Sequence, residues 1–251
     1  MAKTDDYRAA LRALPAWDDY LLAESRLPGP RGNLELLEAA VLEGEAANFR
    51  RWASLGADAA PTNTPGEFLA ACGIVGLGRL LAEGDNAILP ALRSAASDPR
   101  WRVREAVAMG LQRLGDVDMR ALLAIARDWC SGSPLERRAA IAAVCEPRLL
   151  RDERAAVAVL GLLDDATADL AGRQDRRSDD VRVLRQALGY CWSVAVVAAP
   201  DEGRPMIERW CRSADPVVRA IMRENLAKHR LARLDPDWVR RRLDEVRAGP
   251  V

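Results

Sequence analysis

Residues 97–116 read SDPRWRVREAVAMGLQRLGD. After Asp98 and Pro99, the apolar residues Val103, Ala106, Val107, Gly110, Leu111 and Leu114 follow the i, i+3, i+4, i+7, i+8, i+11 spacing that lines one face of an α-helix. Arg102, Arg104, Glu105, Gln112 and Arg113 fall off that stripe. An Asp before a Pro is a helix-start signal. The carboxylate accepts a backbone N–H that the first turn leaves unpaired, and Pro gives up a donor that had no partner there. The same chemistry recurs at Thr64-Pro65-Gly66-Glu67, Ser133-Pro134-Leu135-Glu136, Ser178-Asp179, Asp215-Pro216 and Asp235-Pro236. Starts at 64, 98, 133, 178 and 215 are spaced by 34, 35, 45 and 37 residues, and each interval has room for two helices. A recurrence of that length marks a helical repeat array.

Second helices are expected near 86–96, 117–130, 151–163 and 202–213, with Gly84, Gly115 and Gly203 as turn residues near their starts. The segment ALGYCWSVAVVAA (187–199) is apolar nearly all round and is expected to be the most buried helix. Earlier helices are expected at 5–13, 16–25, 33–43 and 45–55, and no segment alternates with the period of a strand. The fold class is therefore all-α: a right-handed α-solenoid of about five antiparallel helix pairs, forming one domain over 1–251. Residues 1–63 read as an irregular N-terminal cap, 64–234 as the regular repeats and 235–251 as a C-terminal cap helix.

Composition narrows the function. The chain has 251 residues, 49% hydrophobic and 29% charged, and its longest uncharged stretch, Gln186 to Pro200, is 15 residues against the roughly 20 a spanning helix needs. The N-terminus lacks the apolar run of a signal peptide, so the expectation is a cytoplasmic protein with no membrane partner. Five scattered cysteines, with no C-x-x-C pair, read as reduced buried thiols, and the lone His229 argues against a zinc site or a Ser-His-Asp triad. No metal and no cofactor are expected. Residues 1–100 carry 10 basic and 14 acidic groups, a net of −4, and residues 101–251 carry 27 and 23, a net of +4. That shift permits nucleic-acid binding in the C-terminal part without demanding it.

The segments at 97–116 and SADPVVRAIMRENL (213–226) resemble HEAT repeats, in the Asp before the helix, the early Val-Arg pair and the small residues along the stripe. The resemblance implies that the pairs Asp98/Arg104, Asp179/Arg182 and Asp215/Arg219 cap the helix and reach a neighbouring repeat's carboxylate. Trp101-Arg102-Val103-Arg104-Glu105, Asp128-Trp129, Glu146-Pro147-Arg148, Leu188-Gly189-Tyr190-Cys191-Trp192 and Arg223-Glu224-Asn225 look most like HEAT-like relatives of the DNA-alkylation-repair glycosylases. That likeness implies excision of cationic alkylated purines by a carboxylate beside tryptophans.

Seven of the twelve aromatic residues are Trp. Most should fill gaps between helices, whereas Trp101 and Trp129, with charged neighbours, are expected to be partly open and able to stack on a ligand. Asp128 and Glu146 sit near expected helix C-termini, where the dipole disfavours anions. They are the candidate catalytic carboxylates, and Trp101, Arg104, Trp129, Arg148 and Arg223 the candidate binding residues. The primary reading is a non-catalytic scaffold that holds a protein or nucleic acid on a concave face. The alternative is an alkylated-base DNA glycosylase or a decayed relative of one. Gly73 and Gly76 in CGIVGLG (72–78) are read as points of close helix approach, and Asn225 with His229 as a polar pair on the stripe of one helix.

Overall fold

The computed structural model describes residues 3–248, which are helical with no strand among them. The chain divides into two compact units, one ending at Val117 and the other starting at Asp118.

The first unit holds α1 (Lys3–Ala13), α2 (Asp18–Ala23), α3 (Leu34–Glu43), α4 (Ala46–Ala53), α5 (Pro65–Ala82), α6 (Leu89–Ala95) and α7 (Trp101–Val117). Its spine is α5, which packs on α2, α3, α4, α6 and α7. Glycine makes that crowding possible. A Cβ at Gly73 would overlap the backbone of Trp52 and Ala53, one at Gly76 the Phe49 ring, and one at Gly78 the backbone of Gly110. The close approach expected of Gly73 and Gly76 is therefore present, and Gly78 extends it to α7. By length and composition α5 could cross a membrane, with a mean hydropathy of 1.3 over its 18 residues, but 78% of it is buried inside the protein. The helix α4, read from sequence as part of the irregular cap, lies along α5 as the partner of the first regular pair.

The second unit holds α8 (Met119–Cys130), α9 (Pro134–Val144), α10 (Glu153–Gly172), α11 (Asp179–Ala198), α12 (Pro200–Cys211), α13 (Pro216–Leu226), α14 (His229–Leu234) and α15 (Pro236–Ala248). Consecutive helices pair as α8 with α9, α10 with α11 and α12 with α13, while α11 packs on both α9 and α13. The long interval between the starts at 133 and 178 is spent on α10, which runs 20 residues, well past the expected end at 163. Leu188 and Trp192 of α11 are fully buried, but Tyr190 and Val197 on the same helix are exposed, so α5 and not α11 is the most buried helix, contrary to the expectation from sequence.

The caps behave as their chemistry dictates, with local exceptions. Ser133 and Glu136 form a reciprocal capping box. Ser178, Asp215 and Asp235 accept from Val181, Val217 and Trp238. Thr64 does not cap α5: its hydroxyl donates to the Pro61 carbonyl, and Glu67 reaches back to accept the Asn63 N–H at 2.7 Å. Gly84 turns the chain at φ +101°, but Gly115 and Gly203 lie inside α7 and α12. The expected Asn225/His229 pair does not form, because α13 ends at Leu226 and His229 starts the next helix, exposed. Asn225 is buried and fully bonded: its amide donates to the carbonyls of Leu188 and Ile221, and its oxygen accepts the Ser193 N–H.

Much of the tryptophan serves packing through one recurring clasp. Trp52 donates its indole N–H to Asp18, which also takes two bonds from Arg51, whose guanidinium lies over the Trp52 ring. Trp210 donates to Asp164, which also binds Arg209 over the Trp210 ring. Trp238 donates to Glu208, with Arg204 over its ring. A Trp N–H buried between helices needs an acceptor, and the carboxylate supplies it; in the first two clasps the ring-stacked arginine also pairs with that carboxylate, whereas Arg204 pairs with Asp235.

Candidate binding pocket

The residues that open a surface pocket come from three helices and a loop of the first unit. Asn33 fixes α3: its side chain accepts the Leu36 N–H and donates to the Glu24 carbonyl and the Tyr7 hydroxyl. That anchor holds Pro30, Arg31 and Gly32 just before α3, against Phe68 of α5. With Leu34 and Leu37 of α3, Ala71 of α5, and Trp101, Arg102, Glu105, Ala106 and Met109 of α7, they line a cavity of about 220 Å³. Its walls are mostly carbon. Trp101 is 46% exposed and Leu34 38%, so two large apolar side chains stand open at one pocket. Scattered exposed apolar residues are ordinary, but a cluster around a concavity marks a binding site.

A buried ion pair holds the pocket's edge. Glu67 is 0% exposed and accepts from Arg102 at 3.0 Å and from the Asn63 N–H. Arg102, only 11% exposed, also donates to the Gly29 carbonyl at 2.6 Å and lies 4.4 Å from the centre of the Trp101 ring. One charged network thus ties the 27–33 loop, the start of α5 and the start of α7 together, and it orients the exposed indole. Within it Glu67 Oε1 and Arg102 Nε are buried without a hydrogen-bond partner in the protein. Arg31 is exposed at the rim and donates no hydrogen bond among the described residues.

A larger, more open pocket of about 640 Å³ lies between α4, α5, α6 and α7. Its charged groups are already engaged: Arg50 binds Asp85 at 2.6 Å, and Arg100 binds both Asp98 oxygens and the Ala60 carbonyl.

The residues singled out from sequence fare unevenly. Trp101 is open and lines the smaller pocket. Arg104 donates back to the carbonyls of Asp98 and Pro99, at 2.6 and 3.0 Å, so it braces the turn before its own helix. Arg219 does the same at Ser213 and Ala214. The resemblance had these Val-Arg arginines reaching a neighbouring repeat's carboxylate. Arg182 pairs with Asp179 on its own helix, and ion pairs between distant positions are made by Arg176 with Asp215 and by Arg137 with Asp169.

Trp129 is 0% exposed, which corrects the expectation of an open ring: it falls on the packing stripe of α8 with Leu122 and Ala126, all buried. Asp128, one residue earlier, points the other way and is exposed. The two therefore do not form a carboxylate beside an accessible indole, because successive residues on a helix are turned about 100° apart. Glu146 is half-buried and pairs with Arg148 at 3.3 Å, and Arg223 is exposed on α13. Sequence reading missed Leu34, Arg31, and the part that Arg102 and Glu67 play at the edge of the pocket. Glu67 was legible only as a first-turn helix residue, and nothing local announced that the 27–33 loop would close over it.

Cys72, Cys145, Cys191 and Cys211 are buried and Cys130 is half-buried. Burial pushes the Cys130 thiol up to about 11 and that of Cys211 up to about 12.

No curated protein matches the chain closely enough to count as a relative. Among solved structures, a crystal structure of an engineered protein aligns over 100% of this chain and 99% of its own, at 14% identity and a TM-score of 0.35. The model of the HEAT repeat matches residues 88–117, the span that contains α6 and α7.

Proposed function

We propose that the protein is a non-catalytic helical scaffold, with its helix pairs stacked as a right-handed solenoid of the HEAT kind, and that it holds a partner macromolecule, protein or nucleic acid. HEAT repeats generally serve interaction, and the match at 88–117 supports reading this chain the same way. The observation that carries the proposal is the pocket bordered by exposed Trp101 and Leu34, at the start of α7 within the matched repeat. No arrangement of Asp128, Glu146, Trp101 or Trp129 favours the glycosylase alternative over the scaffold.

The test is affinity capture by the full chain, with and without nuclease, in wild type, Trp101→Ala and Leu34→Glu. The expected result is a nuclease-resistant partner, identified by mass spectrometry, that both substitutions deplete at least fivefold. Equal recovery on all three proteins would move the binding face elsewhere. Release of 7-methylguanine from alkylated DNA by the wild type, lost in Asp128→Asn, would instead revive the enzyme reading.

A further inference from the structure

We propose that the Trp101 pocket takes one large apolar side chain of a linear peptide, with a carboxylate of the same peptide on Arg31; this rests on the scaffold reading and specifies its partner. Size is the first argument. About 220 Å³ is smaller than the roughly 300–1,000 Å³ of ordinary small-molecule sites, yet ample for a single Phe, Leu or Met side chain. Chemistry is the second. The floor is Leu37, Phe68, Ala71, Ala106 and Met109, which offers carbon and one thioether. A nucleobase would bring ring donors and acceptors that this floor leaves unmet, whereas an aliphatic or phenyl group loses nothing by entering.

The rim supplies the charge. Among the described residues Arg31 donates no hydrogen bond, and the buried Arg102 Nε–H has no acceptor. Both residues line the pocket, beside the carboxylate of Glu105; Arg31 lies near Glu35 but donates no hydrogen bond to it, so its guanidinium edge stays open to a further acceptor while the floor is apolar. A guanidinium binds a carboxylate in bidentate geometry, which suits Arg31 to an Asp or Glu placed beside the apolar anchor. The Arg102–Glu67 pair is internally neutral, so it sets geometry without repelling an acidic peptide. The indole of Trp101, held by Arg102 across its face, gives the anchor a rigid wall rather than a wandering one. Apolar anchors seated in preformed pockets are the usual centres of binding energy in such complexes.

The experiment uses the full chain and a phage-displayed library of random linear twelve-residue peptides, counter-selected on Leu34→Glu. Residues Leu34 and Arg31 are exposed, so Leu34→Glu and Arg31→Glu are expected to fold with unchanged thermal melts. Clones retained by wild type and lost on Leu34→Glu are expected to share one Phe, Leu, Met or Trp with an Asp or Glu within two residues. Synthesised, such a peptide should bind Trp101→Ala at least tenfold more weakly. It should bind Arg31→Glu about tenfold more weakly, with affinity regained when its acid is replaced by Lys. Pocket-dependent clones without an acid, or with no change on Arg31→Glu, would overturn the inference and leave the scaffold reading standing. So would failure to recover any pocket-dependent clone, since the scaffold reading is judged separately by capture. Trp101-dependent binding of a twenty-nucleotide single-stranded DNA that competes with the peptides would also overturn it, in favour of a nucleic-acid partner.

Discussion

At the scale of single residues, the decisive groups are carboxylates whose place is set by distant partners. Glu67 is wholly buried, and Arg102 is its charged partner. Removing one member of a buried pair leaves the other charge without compensation, at about 3–5 kcal/mol. Arg102→Met is therefore expected to lower unfolding free energy by about 3 kcal/mol in urea melts, and Glu67→Gln combined with Arg102→Met to recover more than half of that loss. Glu43 presents a half-buried counterpart. Hydrogen bonds from Arg12 and Arg8 hold its carboxyl down to about 2. The ordinary value is about 4.3, so the pair's contribution is present above that pH and fades as pH falls through about 2. Melts between pH 5 and pH 2 should show Glu43→Gln losing less stability on acidification than wild type, with a difference at neutral pH within about 1 kcal/mol. Sequence marks these residues only as helix-face charges, because their partners lie 31 to 35 positions away.

At the scale of elements, periodicity and capping made nearly every helix legible. What escaped them was where one helix passes into the next. His229 continued an apolar stripe by arithmetic, yet the chain breaks after Leu226 and the imidazole starts a new helix. Gly115 and Gly203 looked like punctuation but sit inside helices, since tertiary packing overrides a single residue's propensity. The glycines separate cleanly by what surrounds them. At Gly78 an added methyl would strike the α7 backbone at Gly110, while at Gly161 on α10 it would meet nothing within 4 Å. Gly78→Ala is thus expected to destabilise by about 2 kcal/mol or more through overpacking. Gly161→Ala should stabilise by about 0.5–1 kcal/mol through helix propensity alone. Thermal melts of the two variants should shift in opposite directions.

At the scale of the whole molecule, helical periodicity revealed the all-α class, and the Asp-Pro start with its apolar stripe the HEAT likeness around 97–116, but the pocket stayed hidden. It needs a loop near residue 30 and a helix start near residue 101 to meet, and no pattern within either segment encodes that encounter. The two compact units predict local rather than global damage. Leu188→Ala, at a fully buried site, should cost about 2–5 kcal/mol. Its hydrogen-exchange acceleration should fall mainly on residues 118–248, and that of Gly78→Ala mainly on residues 3–117. Uniform acceleration in both variants would mean that the chain unfolds as one body. Of the seven tryptophans, Trp101 alone is largely open to solvent, and the other six are wholly or partly enclosed by packing. The protein therefore carries an optical gauge at its own pocket. The red edge of its intrinsic fluorescence, and the fraction quenched by acrylamide, report chiefly on that one indole, so an unlabelled ligand entering the pocket would announce itself as a blue shift.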